Sequence, residues 1–346
     1  MRHTILDVAK LAGVSPATVS RTLGGTYPVA GKTRARVMRA VEELDYVANG
    51  HARALHGTGT GVIAMLLWDI SSPSFGLLAS GVEEEAARQG RLCMVCTTNG
   101  DVTRESEAID LLRAQGAEAV ILVGGAVDDD AYRARMDRYA RLLSSAGTRL
   151  VLCGRPPAAG SAADAVVVDY DNEGGAYGAT GHLLDAGHRR ILFLGGVPGQ
   201  STAEGRKAGY LRALESRGIE PDPELLATGD FQRDPGYRAV RAALAKGTSF
   251  TAVFASSDLV ASGAYLALRE AGLDVPGDVS VVGYDDIPLA LDLYPKLTTV
   301  RVPFEEVGRT AVRLLLDRRP DEPAQLTLGT NVVVRGSVGP PASSRS

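Results

Sequence analysis

The sequence predicts an N-terminal all-α helix-turn-helix head followed by an α/β body of two doubly wound parallel-sheet subdomains. Three observations predict it. Two short amphipathic helices separated by a turn glycine open the chain, and beyond residue 61 short apolar runs alternate with amphipathic stretches in two series. Charge is also divided unevenly: residues 1–60 hold eight Lys/Arg against four acids, the remainder 29 against 37. A basic head on an acidic body fits a polyanion-binding module attached to a part that does not meet the polyanion.

The head begins with TILDVAKLAG (4–13). Thr4 and Asp7 have the spacing of a capping box, and Ile5, Val8, Ala9 and Ala12 share one face. Gly13 supplies a left-handed turn. Ser15 then caps a second helix with Pro16 at its first position, where a missing N–H costs nothing. Val14, Val19 and Leu23 face inward, leaving Pro16, Ala17, Ser20 and Arg21 outward. In such a pair the second helix enters the major groove of DNA, small residues at its start permit close approach, and Arg21 is placed to reach a guanine edge or a phosphate. A third helix near 33–45 packs with Val37, Ala40, Val41 and Leu44 and carries Arg34, Arg36 and Arg39. NGHARALHG (49–57) is weakly helical and joins GTGTG, a segment marginal alone that a partner or DNA would order. AGKT (30–33) is no phosphate loop, because the glycine needed five places before Gly31 is Thr26 and no strand precedes it.

In the body, strand-like pieces fall at 62–67, 92–96, 119–123, 149–152 and 165–168, then at 190–194, 225–228, 251–254 and 279–282. Helix-like pieces separate them, from 75–89 through 259–271, with a last one at 304–317. Strict alternation implies parallel sheets covered on both faces, and two series imply two sheets whose facing strand ends form a cleft for a small ligand.

Other chemistry finds no support. Cys93, Cys96 and Cys153 make no disulfide framework, no apolar run spans a bilayer, and no secretory signal is visible, so a cytoplasmic protein is expected. CMVC (93–96) lies in a strand-like run, where positions three apart point to opposite faces, unlike a redox pair at a helix start. The five histidines lack metal-ligand spacing and no nucleophile elbow occurs; His188 is expected to close a helix beside its last carbonyls. Neither catalysis, a metal nor a cofactor is expected.

TILDVAKLAGVSPATVSRTLGG and TRARVMRAVEELDYVANGHARAL resemble the DNA-binding head and hinge of the lactose/galactose repressor family. The likeness continues through DISSPSF (69–75), HLLDAGHRRILFLGG (182–196), GRKAGY (205–210), GDFQRDPGY (229–237) and DVSVVGYDD (278–286), covering residues 4–338. The resemblance implies a hinge helix and a periplasmic-binding-protein-like core, with three strands crossing between subdomains, a small effector in the cleft and a dimer. It divides the chain into a head (1–48), hinge and linker (49–60), a first subdomain (61–158 with 296–326), a second (159–295 with 327–340) and a tail (341–346).

It also implies roles for single residues. Ser15, Pro16, Ala17 and Arg21 fall at operator-contacting positions, beside Thr4 and Ser20, while Asn49 and Arg53 lie in the hinge. Leu55 matches a leucine that wedges into the minor groove; packing against a dimer mate is the other reading of it. Two departures stand out: Ala48 replaces the usual proline before the hinge asparagine, and Gly25 the usual asparagine after the recognition helix. In the cleft, Asp69, Ser74 and Phe75 match a ligand-lining loop, Arg206 and Asp285 a ligand-holding arginine and carboxylate, and Phe231 a stacking aromatic. Such a set suits a sugar: charged groups take hydroxyls and an aromatic face covers the ring. A structural ion pair and core phenylalanines are the plainer alternatives. Arg155 is expected at the cleft beside Gly154, where several relatives carry Asp, with Ser257 and Asp258 on the far wall.

The expectation is therefore an effector-responsive, sequence-specific DNA-binding regulator, a repressor of carbohydrate-use genes. It would bind a pseudo-palindromic operator as a homodimer, since no heptad tail follows residue 338. A stand-alone sugar-binding sensor is the rival.

Overall fold

The computed structural model describes residues 3–24, 28–46, 61–157, 165–317 and 324–342. The head holds helices α1 (Ile5–Ala12), α2 (Pro16–Gly24) and α3 (Gly31–Glu43). The Thr4 backbone N–H and hydroxyl both donate to the Asp7 carboxylate, at 2.7 and 2.8 Å, which starts α1 and holds the Asp7 pKa down. Gly13 ends α1 at φ +60°, the left-handed conformation a side chain would strain. Ser15 Oγ then accepts the Thr18 N–H at 3.2 Å and opens α2. Val8, Ala9, Ala12, Val19, Val37 and Ala40 form the head's own core, with Val14, Leu23, Val41 and Leu44 at its edge. Helix α3 starts two residues before the sequence pattern suggests.

The body continues with β1 (Val62–Leu67), α4 (Pro73–Arg88), β2 (Leu92–Thr97), α5 (Val102–Ala114), β3 (Ala119–Val123), α6 (Asp130–Ser144), β4 (Arg149–Cys153) and β5 (Val166–Tyr170). Then come α7 (Asn172–Asp185), β6 (Ile191–Leu194), α8 (Ser201–Glu215), β7 (Leu226–Ala227), α9 (Arg233–Ala245), β8 (Ala252–Ala255), α10 (Asp258–Glu270) and β9 (Ser280–Val282). Short helix α11 (Leu289–Asp292), β10 (Thr299–Arg301), α12 (Phe304–Asp317), β11 (Gln325–Leu328) and β12 (Asn331–Val333) follow.

Two parallel sheets result, ordered β11-β5-β4-β3-β1-β2 and β7-β6-β8-β9. The central strands read as continuous apolar runs because helices cover both faces. A small antiparallel pair, β10 with β12, lies beside the second sheet, tied to it by bridges Val282–Thr298 and Asp285–Arg301.

This pairing corrects the subdomain limits expected from sequence. Strand β5 lies beyond residue 158 yet pairs with β4 in the first sheet. Strand β10, expected in the first subdomain, joins β12 and the second. Strand β11 runs past residue 326 to Leu328 in the first sheet. The chain thus crosses between sheets three times: after β5, between β10 and α12, and between β11 and β12. Helix α12 packs on α4 without space for side chains: a Cβ at Gly81 would lie 2.0 Å from the Glu305 carbonyl.

His188 closes α7 with its backbone N–H, which donates to the Leu183 carbonyl at 3.1 Å, but its ring turns to other partners. It is buried, its Nδ1 2.9 Å from the Thr251 hydroxyl and its Nε2 2.9 Å from the Gly339 carbonyl, fastening the chain end to the second sheet. No helix among the described residues is long and apolar enough to cross a membrane.

Candidate functional site

On the head, Ser15, Pro16, Ala17 and Arg21 are exposed along α2, with Ser20 half-buried and Thr4 exposed at the start of α1. Ser15, Thr18 and Arg21 border a shallow depression with Thr33 and Arg36 of α3, so a basic surface surrounds the recognition-helix face. Ser15 has a structural task as well, its hydroxyl capping α2. Asn49, Arg53 and Leu55, the hinge they belong to, and Gly25 and Ala48 lie outside the described residues.

The second site is a cavity of about 200 Å³ between the two sheets, at the carboxyl ends of their strands. Asp69, Ser74, Phe75, Arg206, Phe231 and Asp285 all line it, although they come from four separate segments. Arg206 projects from α8 and is 2% exposed. Its Nη2 donates to Asp285 Oδ1 at 3.0 Å, its Nε to Asn172 Oδ1 at 2.9 Å, and its Nη1 to the Ser256 carbonyl. The guanidinium lies 3.8 Å from the Tyr284 ring centroid and 5.4 Å from that of Phe231. Tyr284 in turn donates to the Asp171 and Asn172 carbonyls at the first crossing.

Asp285 follows β9 in the left-handed region, at φ +108°. A carboxylate carried there by a non-glycine residue is held only because its surroundings fix it. Ser74, at the start of α4 in the first subdomain, donates to Asp285 Oδ2 at 3.1 Å. Burial raises the Asp285 pKa, opposed by the charge of Arg206 and by these hydrogen bonds. Asp69 accepts from the Ser71 N–H and hydroxyl, which lowers its pKa and fixes the loop at the cavity mouth. The Phe231 ring seats on Gly196, where a Cβ would come within 2.4 Å.

Three expected site residues do not line this first cavity. Ser257 caps α10, accepting the Val260 N–H at 3.2 Å while donating to the Phe231 carbonyl at 3.0 Å. Asp258 is wholly buried behind the cavity, taking the Thr299 hydroxyl and the Ile287 N–H. Neither lines the cavity, because Ser257 turns its hydroxyl to a free N–H of the helix it caps and Asp258 turns its carboxylate to the Thr299 hydroxyl and the Ile287 N–H. Arg155 lines an adjoining chamber instead, drawn there by Glu105 at 2.8 Å.

Sequence reading passed over Trp68, Tyr170, Gln200, Thr202, Asp230 and Phe304, all of which line the cavity. Trp68, the chain's one tryptophan, at the polar end of an apolar strand, was the available signal. Gln200 gave none: it precedes α8 and reaches across to the Gly125 carbonyl at 3.2 Å, a tertiary contact.

A helix-turn-helix head on a core of two parallel sheets with a cavity between them defines a ligand-responsive transcriptional regulator. The chain belongs to the lacI family of bacterial regulatory proteins, which residues 4–49 match, with residues 180–338 matching a periplasmic-binding-protein-like domain. It is 32% identical to the HTH-type transcriptional repressor PurR of Pasteurella multocida, over 97% of this chain and 98% of that one. Among solved structures, the transcriptional regulator CelR–cellobiose complex is 34% identical, with a TM-score of 0.72 over 97% of this chain and 100% of the other. The lac repressor dimer bound to operator and the anti-inducer ONPF is 25% identical, with a TM-score of 0.81 over 98% and 100%.

Proposed function

We infer that this chain is a cytoplasmic repressor of carbohydrate-use genes that binds a pseudo-palindromic operator as a homodimer and is controlled by a sugar in the inter-sheet cavity. The observation that carries the reading is the Arg206–Asp285 pair, buried in the cavity and reached from the other subdomain by Ser74. A guanidinium and a carboxylate side by side take vicinal hydroxyls, one donating and one accepting, while Phe231 and Phe75 offer apolar faces. The solved relatives support this choice, one holding cellobiose and one a dimer on its operator.

The site binds its ligand without turning it over, its two charges being already committed to each other. A sugar bridging the cleft would change the angle between subdomains and so the spacing of the paired heads, coupling cavity to operator. Selection of DNA sites from a random pool by the full-length protein, at fixed salt, tests the reading. Enrichment of a two-fold symmetric site whose affinity changes with a sugar supports it; sugar binding with no enriched site assigns the chain instead to a sensor that reads no operator.

A further inference from the structure

The effector cavity does not stand alone. A second chamber, of about 290 Å³, opens beside it and shares Trp68, Phe75, Gly124, Gly125 and Gln200 as a common wall. Its deeper lining holds Glu105, Arg135 and Arg155. The Arg155 guanidinium donates to Glu105 Oε2 at 2.8 Å, and Arg135 Nε stands 3.4 Å from Glu105 Oε1, too poorly aligned for a hydrogen bond.

The polar satisfaction of this chamber is unusual for the molecule. Among the described residues, five buried side-chain polar atoms lack a hydrogen-bond partner. Four of them, Glu105 Oε1, Arg135 Nε, Arg155 Nε and Gln200 Oε1, belong to residues that line this one chamber. Buried polar atoms without partners are costly, and their concentration marks a place where something else supplies the bonds. Glu105 Oε1 and Arg135 Nε face each other as an ion pair, which leaves one donor, Arg155 Nε, and one acceptor, Gln200 Oε1, a combination that a hydroxyl-bearing neutral group meets and a simple anion or cation does not. The charges agree. Two guanidinium groups face Glu105, and Asp101 and Asp129 stand at the rim, their carboxylates already capping α5 and α6. No excess positive charge awaits a phosphate.

Trp68 adds the apolar half of a sugar site. It is 48% exposed at the shared wall, yet its ring is fixed from behind by Gly100, where a Cβ would come within 2.7 Å. An indole so placed offers its surface to a pyranose without first losing rotamer freedom. Each chamber alone is smaller than the ~300–1,000 Å³ of common ligand sites, whereas the two together fall inside that range.

We propose that the effector is an oligosaccharide of at least two sugar units, one held by Arg206 and Asp285, the next stacked on Trp68 and hydrogen-bonded in the chamber of Glu105, Arg135 and Arg155. This rests on the sugar reading above and specifies its ligand class. Trp68 is the chain's single tryptophan, so its emission reports on the wall that the two chambers share.

The test titrates the full-length protein with α- and β-linked disaccharides of glucose, galactose, mannose and xylose, their monosaccharides and the 6-phosphates of the hexoses. Binding is read by calorimetry and by tryptophan emission. At least one disaccharide is expected to bind tenfold or more tightly than its monosaccharides and to shift the emission. Arg135→Gln, confined to the second chamber, is expected to lower that disaccharide's affinity tenfold and to leave monosaccharide affinity within twofold. A monosaccharide or sugar phosphate that binds as tightly as any disaccharide overturns the proposal but leaves a sugar effector standing. So does disaccharide binding with unchanged emission, or unchanged affinity in Arg135→Gln. If no sugar binds, both readings fall.

Discussion

The Ser74 hydroxyl donates to Asp285 Oδ2 across 3.1 Å, joining the first helix of one subdomain to the loop behind the last strand of the other. The same carboxylate takes Arg206 on its second oxygen. A residue that joins the two halves and shares its carboxylate with the proposed ligand-holding arginine would connect ligand binding to subdomain geometry.

Ser74→Ala is expected to leave overall stability within about 1 kcal/mol, since one partly exposed hydroxyl is lost. Its effect belongs in the effector response, with the midpoint of operator release displaced several-fold. Effector titration of operator binding, with thermal unfolding beside it, separates the two; an unchanged midpoint would show that the clamp has no part in the response.

Asp285→Ala leaves the Arg206 charge buried with only neutral acceptors. A loss of about 3–5 kcal/mol is expected from breaking one side of a buried pair, whereas Asp285→Asn, which keeps the shape and an acceptor, should lose less. In Asp285→Asn, effector response should vanish while operator affinity persists. Denaturant unfolding and operator titration of both variants measure this.

The head offers a separate prediction. Arg21→Ala should weaken operator binding and leave effector affinity untouched. If Arg21 meets a phosphate, the logarithmic salt slope falls by about one; if it meets a base, discrimination at one position relaxes by about 1–3 kcal/mol. Titration at several salt concentrations against single-base variants tells the two apart.

Burial lowers the His188 pKa. Between its folded value and the ordinary value near 6.5, the unfolded chain therefore binds the proton that the folded one does not. Stability falls as pH drops through that window, by no more than about 1.4 kcal/mol per pH unit for one group. Unfolding free energy measured between pH 7.5 and 5 should show this slope, and His188→Gln should flatten it.

What the sequence disclosed followed the range of the interactions. Thr4, Asp7, Gly13 and Ser15 act within one helical turn of their own chain, so the head was legible residue by residue. The long parallel strands were legible because burial on both faces leaves unbroken apolar runs. Strands β10 and β12, TVR and NVV, were not: three residues carry no period, and their pairing depends on a fold already formed. The same reason hid where β5 belongs, since its composition is alike in either sheet. Within the site, Arg206 and Asp285 were found through resemblance. The pairing of Arg155 with Glu105 was not legible, because fifty residues separate them. Ser257 and Asp258 were misplaced because a polar pair at a strand end reads alike whether it faces a cavity, caps a helix or is buried against a neighbouring loop.

Asn172 has a consequence of its own. Its amide oxygen holds Arg206 Nε, while its backbone carbonyl takes the Tyr284 hydroxyl beneath the guanidinium, and the residue itself begins the helix just past the first crossing strand. The proposed anchor of the ligand is thus bolted to the segment by which the chain passes from one lobe to the other. Were the lobes to turn about that segment, a slight twist there would sweep their far ends, and β1, the first strand after the head in sequence, starts at the far end of the first lobe.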